Sequence, residues 1–186
     1  IQTNEFALIN ALRFNYNIKS DDVSAIIYIG KDNTQVLLTR GYDFLTDLPV
    51  INEGYQSRDI IKTVISRIML ERSHLGVQSV QNYFIDGEGL QNTMIDVLKS
   101  RDPGAIVEFL LPKRICEQSD CSDRYDDRTL ASYIIPIMLA VVAALPKEPF
   151  LLRSNFLPKQ LKEQQNLFSI STEGFLVLGI ILIVGL

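Results

Sequence analysis

Two short glycine-bearing turns are the stretches of this chain best suited to holding an anion. Gly30-Lys31-Asp32-Asn33-Thr34 follows an apolar, β-branched run, and Gly87-Glu88-Gly89 follows a second such run immediately before a helical pattern. Glycine lets backbone amides approach an anion closely, and Thr34 adds a hydroxyl. N–H groups exposed at the start of a helix suit a phosphate or the edge of a nucleotide. Each signal alone is weak, and both stretches read first as ordinary tight turns, in which Gly, Asn and Asp are the usual residues. The ligand-binding positions named by this reading are Gly30, Thr34, Gly87 and Gly89; no residue is assigned a catalytic role or a metal.

Other chemistry is thinly represented. The chain lacks Walker A spacing, a His-Glu-x-x-His pair and a Gly-x-Ser-x-Gly nucleophile turn. Its one histidine, His74, falls at the end of a helical pattern, where an imidazolium complements the helix dipole. Asp120, Asp123, Asp126 and Asp127 lack the alternate-residue spacing and turn glycine of a calcium loop. With Arg124 and Arg128 among them they read as a solvated surface loop. Cys116 and Cys121 are expected as free thiols in a reducing compartment, with a local disulfide as the alternative.

The elements that position the two turns follow from hydrophobic periodicity. Residues 5–15 read as a helix capped by Asn4, with Phe6, Leu8, Ile9 and Leu12 on its apolar side. Residues 23–29 and 34–38 flank the first turn as a hairpin, and residues 42–50 supply a third extended piece in which Pro49 marks an edge or an end. The first of these strands is apolar on both faces, as suits the middle of a covered sheet. Ser57 is a plausible N-cap for a helix carrying Ile60, Ile61, Val64, Ile65, Ile68 and Met69, which Gly76 ends. A strand over residues 80–85, a helix over 90–99, a strand over 106–111, a charged loop over 112–128 and an apolar helix over 129–145 come next. The order α-βββ-α-β-α-β-α, with right-handed crossovers, makes the later strands parallel and the first three a meander.

Bulk composition excludes some partners. A net charge of −4, a pI near 5.0 and scattered Lys and Arg give no footprint for a phosphate backbone, so no nucleic acid is expected. Residues 174–186 form an uncharged apolar run, shorter than the ~20 residues that cross a bilayer. The run stops where the chain stops and is expected as the start of a transmembrane helix, packing in a protein core being the alternative. Arg153, Lys159 and Lys162 precede it, which puts the preceding domain on the cytoplasmic side by the positive-inside rule. Residues 130–145, interrupted by Ser132 and Pro136, read as a helix buried on the sheet; a second span there would place Lys147, Arg153, Lys159 and Lys162 outside. The resulting division is a folded domain over residues 1–145, a linker and juxtamembrane segment over 146–173, and a truncated transmembrane helix over 174–186. The chain reads as a piece of a longer protein.

Taken together these residues resemble the second half of the actin-like type IV pilus assembly protein M joined to the start of its membrane partner, protein N. A single chain of this layout also resembles the type II secretion system protein L family. The run Ile26-Ile27-Tyr28-Ile29-Gly30-Lys31-Asp32-Asn33-Thr34 stands where such proteins have a phosphate loop of the type Asp-x-Gly-x-x-x-Thr. Tyr83-Phe84-Ile85-Asp86-Gly87-Glu88-Gly89-Leu90 stands where they have a strand and a Gly-Gly adenosine turn. Asn155-Phe156-Leu157-Pro158 resembles the Asn-Leu-Leu-Pro segment that opens protein N. The resemblance implies a ribonuclease-H-like (actin-like) half-domain, with ATP and magnesium as the cofactors of its site. Partners would be the inner membrane and the pilus or secretion platform proteins; a homodimer is left open. It implies a scaffold on the cytoplasmic side of the bacterial inner membrane. Two departures favour a scaffold over an enzyme: Tyr28 replaces the acidic residue of the phosphate loop, and Glu88 splits the glycine pair. The alternatives are an active actin-like ATPase and a cell-division-type actin homologue bound to the membrane surface.

Overall fold

A computed structural model of the chain describes residues 3–119 and 121–153, all within the first of two compact units, Ile1–Arg153. Its elements are α1 (Thr3–Asn15), β1 (Val23–Ile29), β2 (Thr34–Arg40), β3 (Asp43–Asp47), α2 (Ile60–His74), β4 (Asn82–Gly87), α3 (Asn92–Arg101) and β5 (Ile106–Phe109). They are succeeded by α4 (Lys113–Cys116), α5 (Cys121–Arg124), α6 (Asp127–Ser132) and α7 (Ile134–Ala144). The five strands form one mixed sheet in the order β3-β2-β1-β4-β5. β2 runs antiparallel to β1 and β3, whereas β4 and β5 run parallel to β1.

Each face of the sheet is covered because its central strands are apolar on both sides. Ala25, Ile27 and Ile29 of β1, with Tyr83 and Ile85 of β4, meet Ile60, Ile61, Val64 and Ile68 of α2 and Met94 and Leu98 of α3. The alternate residues Ile26 and Phe84 meet Ala7, Leu8, Ala11 and Leu12 of α1 and Ile134 and Met138 of α7. The expected helical stripe on α2 holds except at Met69, which sits one step past the buried arc and is half exposed. Tyr16 pins the far edge: its hydroxyl donates to the Phe109 carbonyl at 3.2 Å and accepts the Leu111 N–H at 2.7 Å. Its ring lies 4.6 Å from that of Phe84.

The second half departs from the sequence reading at several points. The stretch expected as a loop over residues 112–128 contains α4 and α5, helical pieces too short to show a period. The single helix expected over 129–145 is broken at Tyr133 into α6 and α7, and Asp126 caps the first of them by accepting the Thr129 N–H at 3.1 Å. Pro136 lies in the first turn of α7, where its missing N–H costs no helical bond. Among the described residues no helix is long and apolar enough to cross a membrane. Cys116 and Cys121 are joined in a disulfide, not free as expected: the turns of α4 and α5 bring their Cα atoms to 5.2 Å. The expected transmembrane start over 174–186 and the Asn155-Phe156-Leu157-Pro158 segment lie outside the described residues.

Residues 146–153, read from sequence as the beginning of the linker, return to α1. Asn10, itself buried, donates to the Leu152 carbonyl at 2.8 Å and accepts the Leu152 N–H at 2.6 Å. Arg13 donates to the Phe150 carbonyl at 3.0 Å, Leu151 is buried, and the Phe14 and Phe150 rings stack at 6.3 Å. Asn10→Ala leaves both Leu152 backbone groups without these partners. It is expected to lower the unfolding free energy by ~1–3 kcal/mol in urea titrations and to speed amide exchange at Leu152.

Candidate functional site

The parallel pairing of β1 and β4 sets Ile29 opposite Gly87. The two glycine turns separated by more than fifty residues in sequence therefore leave the same edge of the sheet side by side, and the Glu88 N–H donates to the Ile29 carbonyl at 2.7 Å. The carboxyl ends of parallel strands are where open α/β sheets place ligands. All four sequence-named residues, Gly30, Thr34, Gly87 and Gly89, belong to this edge.

Their polar groups and their open space are nonetheless taken by protein. The Gly30 N–H donates to the Asn33 carbonyl at 2.8 Å, closing the hairpin turn on itself. Thr34 is fully buried, and its hydroxyl donates to the Glu53 carbonyl at 2.8 Å. Its backbone exchanges bonds with Ile51, Thr34 N–H to Ile51 carbonyl at 2.8 Å and Ile51 N–H to Thr34 carbonyl at 3.0 Å. The Tyr55 N–H donates to the Gly30 carbonyl at 3.0 Å. Residues 51–55 thus form a strap across the hairpin turn, which sequence reasoning did not single out. Gly54 within it lies so close to the Gly30 and Lys31 carbonyls that a side chain has no room.

The glycines of the second turn are likewise explained by packing. Gly87 has φ +115°, and a Cβ there would fall well inside van der Waals distance of the Ile29 carbonyl oxygen. Gly89 has φ +59° and is covered by the Tyr55 ring. Such torsions and such contacts are tolerated only without a side chain. As arranged, the two turns offer no free threonine hydroxyl and no carboxylate at position 28, and they do not fit a magnesium-bound phosphate.

One residue at this edge stands out chemically. Asp86 is almost fully buried; its Oδ1 accepts the Gly87 N–H at 2.6 Å, while its Oδ2 has no hydrogen-bond partner. Burial pushes its carboxyl up from 3.8 to about 8, which favours the neutral form at pH 7. Its register neighbour on the same face is Tyr28. The Tyr28 phenol is pushed above its ordinary value by burial and then by the Asp86 and Glu88 charges, Asp86 being ionised by the time a phenol titrates. The sequence signal was present: an acid closing the otherwise apolar run Tyr83-Phe84-Ile85.

The remaining sequence candidates lie elsewhere. His74 ends α2, exposed, with its Nδ1 3.8 Å from Glu71. Asp126 caps α6 and pairs with Arg128 at 2.9 Å. Asp120 is outside the described residues, among which no group of three metal-capable side chains occurs. A groove of about 300 Å³ between the first turns of α2 and α3 is lined by Tyr55, Arg58, Lys62 and Gln91, but Lys62 is paired with Asp59 at 2.6 Å.

A five-stranded sheet in the order 3-2-1-4-5, with only the second strand reversed and helices on both faces, is the mixed α/β arrangement expected from the sequence, a meander followed by parallel strands. No family model matches the chain, and no curated protein matches its sequence. Among solved structures it is similar to a PilM-PilN type IV pilus biogenesis complex at 17% identity and a TM-score of 0.49, covering 74% of this chain and 51% of that one. It is also similar to the apo psk41 ParM protein at 12% identity and a TM-score of 0.37, covering 75% and 50%. The chain spans about half the length of these solved chains.

Two measurements probe this edge. Gly87→Ala combines a disfavoured φ with a backbone clash and is expected to destabilise by ~3 kcal/mol or more in urea unfolding, whereas Gly104→Ala, with open space around it, is neutral. Folded Asp86 keeps its proton to about pH 8, but the unfolded chain releases it near pH 4. Stability therefore falls as pH rises between those values, by up to ~1.4 kcal/mol per unit, and levels off above. Asp86→Asn cannot ionise, and its unfolding free energy should lose that slope and exceed the wild-type value at pH 8.

Proposed function

We propose that this chain is a non-hydrolysing scaffold on the cytoplasmic side of a bacterial inner membrane, part of the assembly platform of a type IV pilus or type II secretion system. The observation that carries the non-catalytic half of this reading is the strap: Glu53 and Ile51 hold Thr34, and Tyr55 holds Gly30 and Gly89, so the nucleotide-facing groups serve the fold. The platform half rests on the resemblance of the phosphate-loop and adenosine-turn runs and of Asn155-Phe156-Leu157-Pro158 to proteins M and N. The membrane half rests on the apolar run at 174–186 with its basic flank.

The competing reading, an actin-like ATPase using ATP and magnesium, is favoured by one observation, the side-by-side placement of the two glycine turns. Calorimetric titration of the full chain with ATP and magnesium separates the two. The expected result is no saturable heat, for the wild type and also for Tyr28→Asp, since restoring the carboxylate leaves Thr34 and Gly30 engaged. Saturable heat that a Gly30 substitution abolishes overturns the scaffold reading. Alkaline carbonate extraction of bacterial membranes tests the anchor: the protein stays with the pellet if residues 174–186 begin a membrane span, and washes off if they do not.

A further inference from the structure

One helix of the described surface, α7, is apolar all round. No side chain from Ile134 to Pro146 carries a nitrogen or an oxygen, yet the helix buries only Ile134 and Met138 fully. At 100° per residue, Tyr133, Pro136, Leu139, Ala140, Ala143 and Ala144 share the arc opposite those two, and all six are exposed, Leu139 at 43% and Tyr133 at 60%. A surface helix normally carries charged or polar residues on that arc. Lys147 lies exposed just past the helix end, and the Arg153 guanidinium donates to the Leu145 carbonyl at 2.6 Å.

We propose that this arc of α7 rests on the lipid bilayer surface, a contact that rests on the anchored reading above. The size of the face decides among occupants. At 1.5 Å per residue the helix is ~16 Å long and with side chains ~10 Å wide, so it offers roughly 160 Å². A stable protein interface needs ~800 Å² from each partner, so a second copy held by this face alone would fall apart. Lipid imposes no such threshold once the domain is already tethered. Twenty residues separate Arg153 from Gly174, and a chain of that length reaches at most ~70 Å even when fully extended, so an anchor at 174–186 keeps the domain near the membrane. Tyr133 at one end and Lys147 at the other match the headgroup level, where amphipathic rings and cations sit.

The chain contains no tryptophan, so a single one reports on this face without background. The experiment is full-length Leu139→Trp reconstituted into vesicles of zwitterionic and anionic phospholipid, with and without brominated acyl chains. The expected result is blue-shifted emission that brominated lipid quenches, with Met69→Trp, on the outer side of α2, unshifted and unquenched. Red, unquenched emission overturns the contact by leaving α7 in water. Blue, unquenched emission also overturns it, because protein then covers the arc: a second copy if diluting the protein within the vesicles reverses the shift, the chain's own tail if it does not. Carbonate extraction of the same vesicles reports separately on residues 174–186, so loss of the anchor is distinguished from loss of the α7 contact.

Discussion

The register of β1 against β4 is the constraint on which the rest of this unit depends. Because Ile29 stands opposite Gly87, the backbone of one turn passes directly over the end of the neighbouring strand, and the Glu88 N–H reaches the Ile29 carbonyl. That approach leaves no room for a side chain at position 87. A slip of one residue would exchange the faces of every side chain on β4, sending Phe84 out of the α1/α7 layer and Tyr83 and Ile85 into it. Both cores would be lost together, so register is specified by the whole apolar pattern, not by the turn.

The same register makes the edge that carries both glycine turns a packing junction. Backbone groups at the end of a sheet must find partners, and a nucleotide is one way to supply them. Here residues 51–55 supply them instead, with Ile51 extending the ladder of β2 and Tyr55 closing over Gly89. Glycines selected for close approach are equally required by either solution. At this edge the Thr34 hydroxyl is committed to a carbonyl inside the protein, and position 28 carries a phenol whose titration is pushed up by burial. Asp86 shows the remaining cost of the arrangement: a carboxyl buried with one oxygen unmatched, kept neutral by its surroundings.

Much of this was legible in the sequence where a period or a turn carries the information. The hairpin, the α2 stripe and the strand before Asp86 follow from spacing, and their order was enough to anticipate a mixed sheet with parallel later strands. What was not legible depends on contacts distant in sequence. Residues 51–55 have no periodicity, and their role appears only when Glu53 meets Thr34 and Gly54 meets Gly30. The disulfide was misjudged because compartment, not geometry, set the expectation, while two one-turn helices bring Cys116 and Cys121 together. The length of the last helix was overestimated because an apolar run does not reveal where Tyr133 interrupts it.

Residues 146–153 fasten these layers at the point where the chain leaves the sheet. Asn10 holds both backbone groups of Leu152, Arg13 holds the Phe150 carbonyl and the Tyr42 carbonyl together, and Phe14 stacks on Phe150 beneath the Arg114 guanidinium. Arg153 in turn holds the carbonyl end of α7, so the last described residues are fastened to both helices. Ala7, Leu8, Ala11 and Leu12 join α1 to the sheet face built on Ile26, Leu37 and Phe84. The two fastenings act at opposite places in the chain, residues 146–153 on α1 and α7 and residues 51–55 on the two glycine turns, and each satisfies backbone groups that the sheet and helices leave without partners.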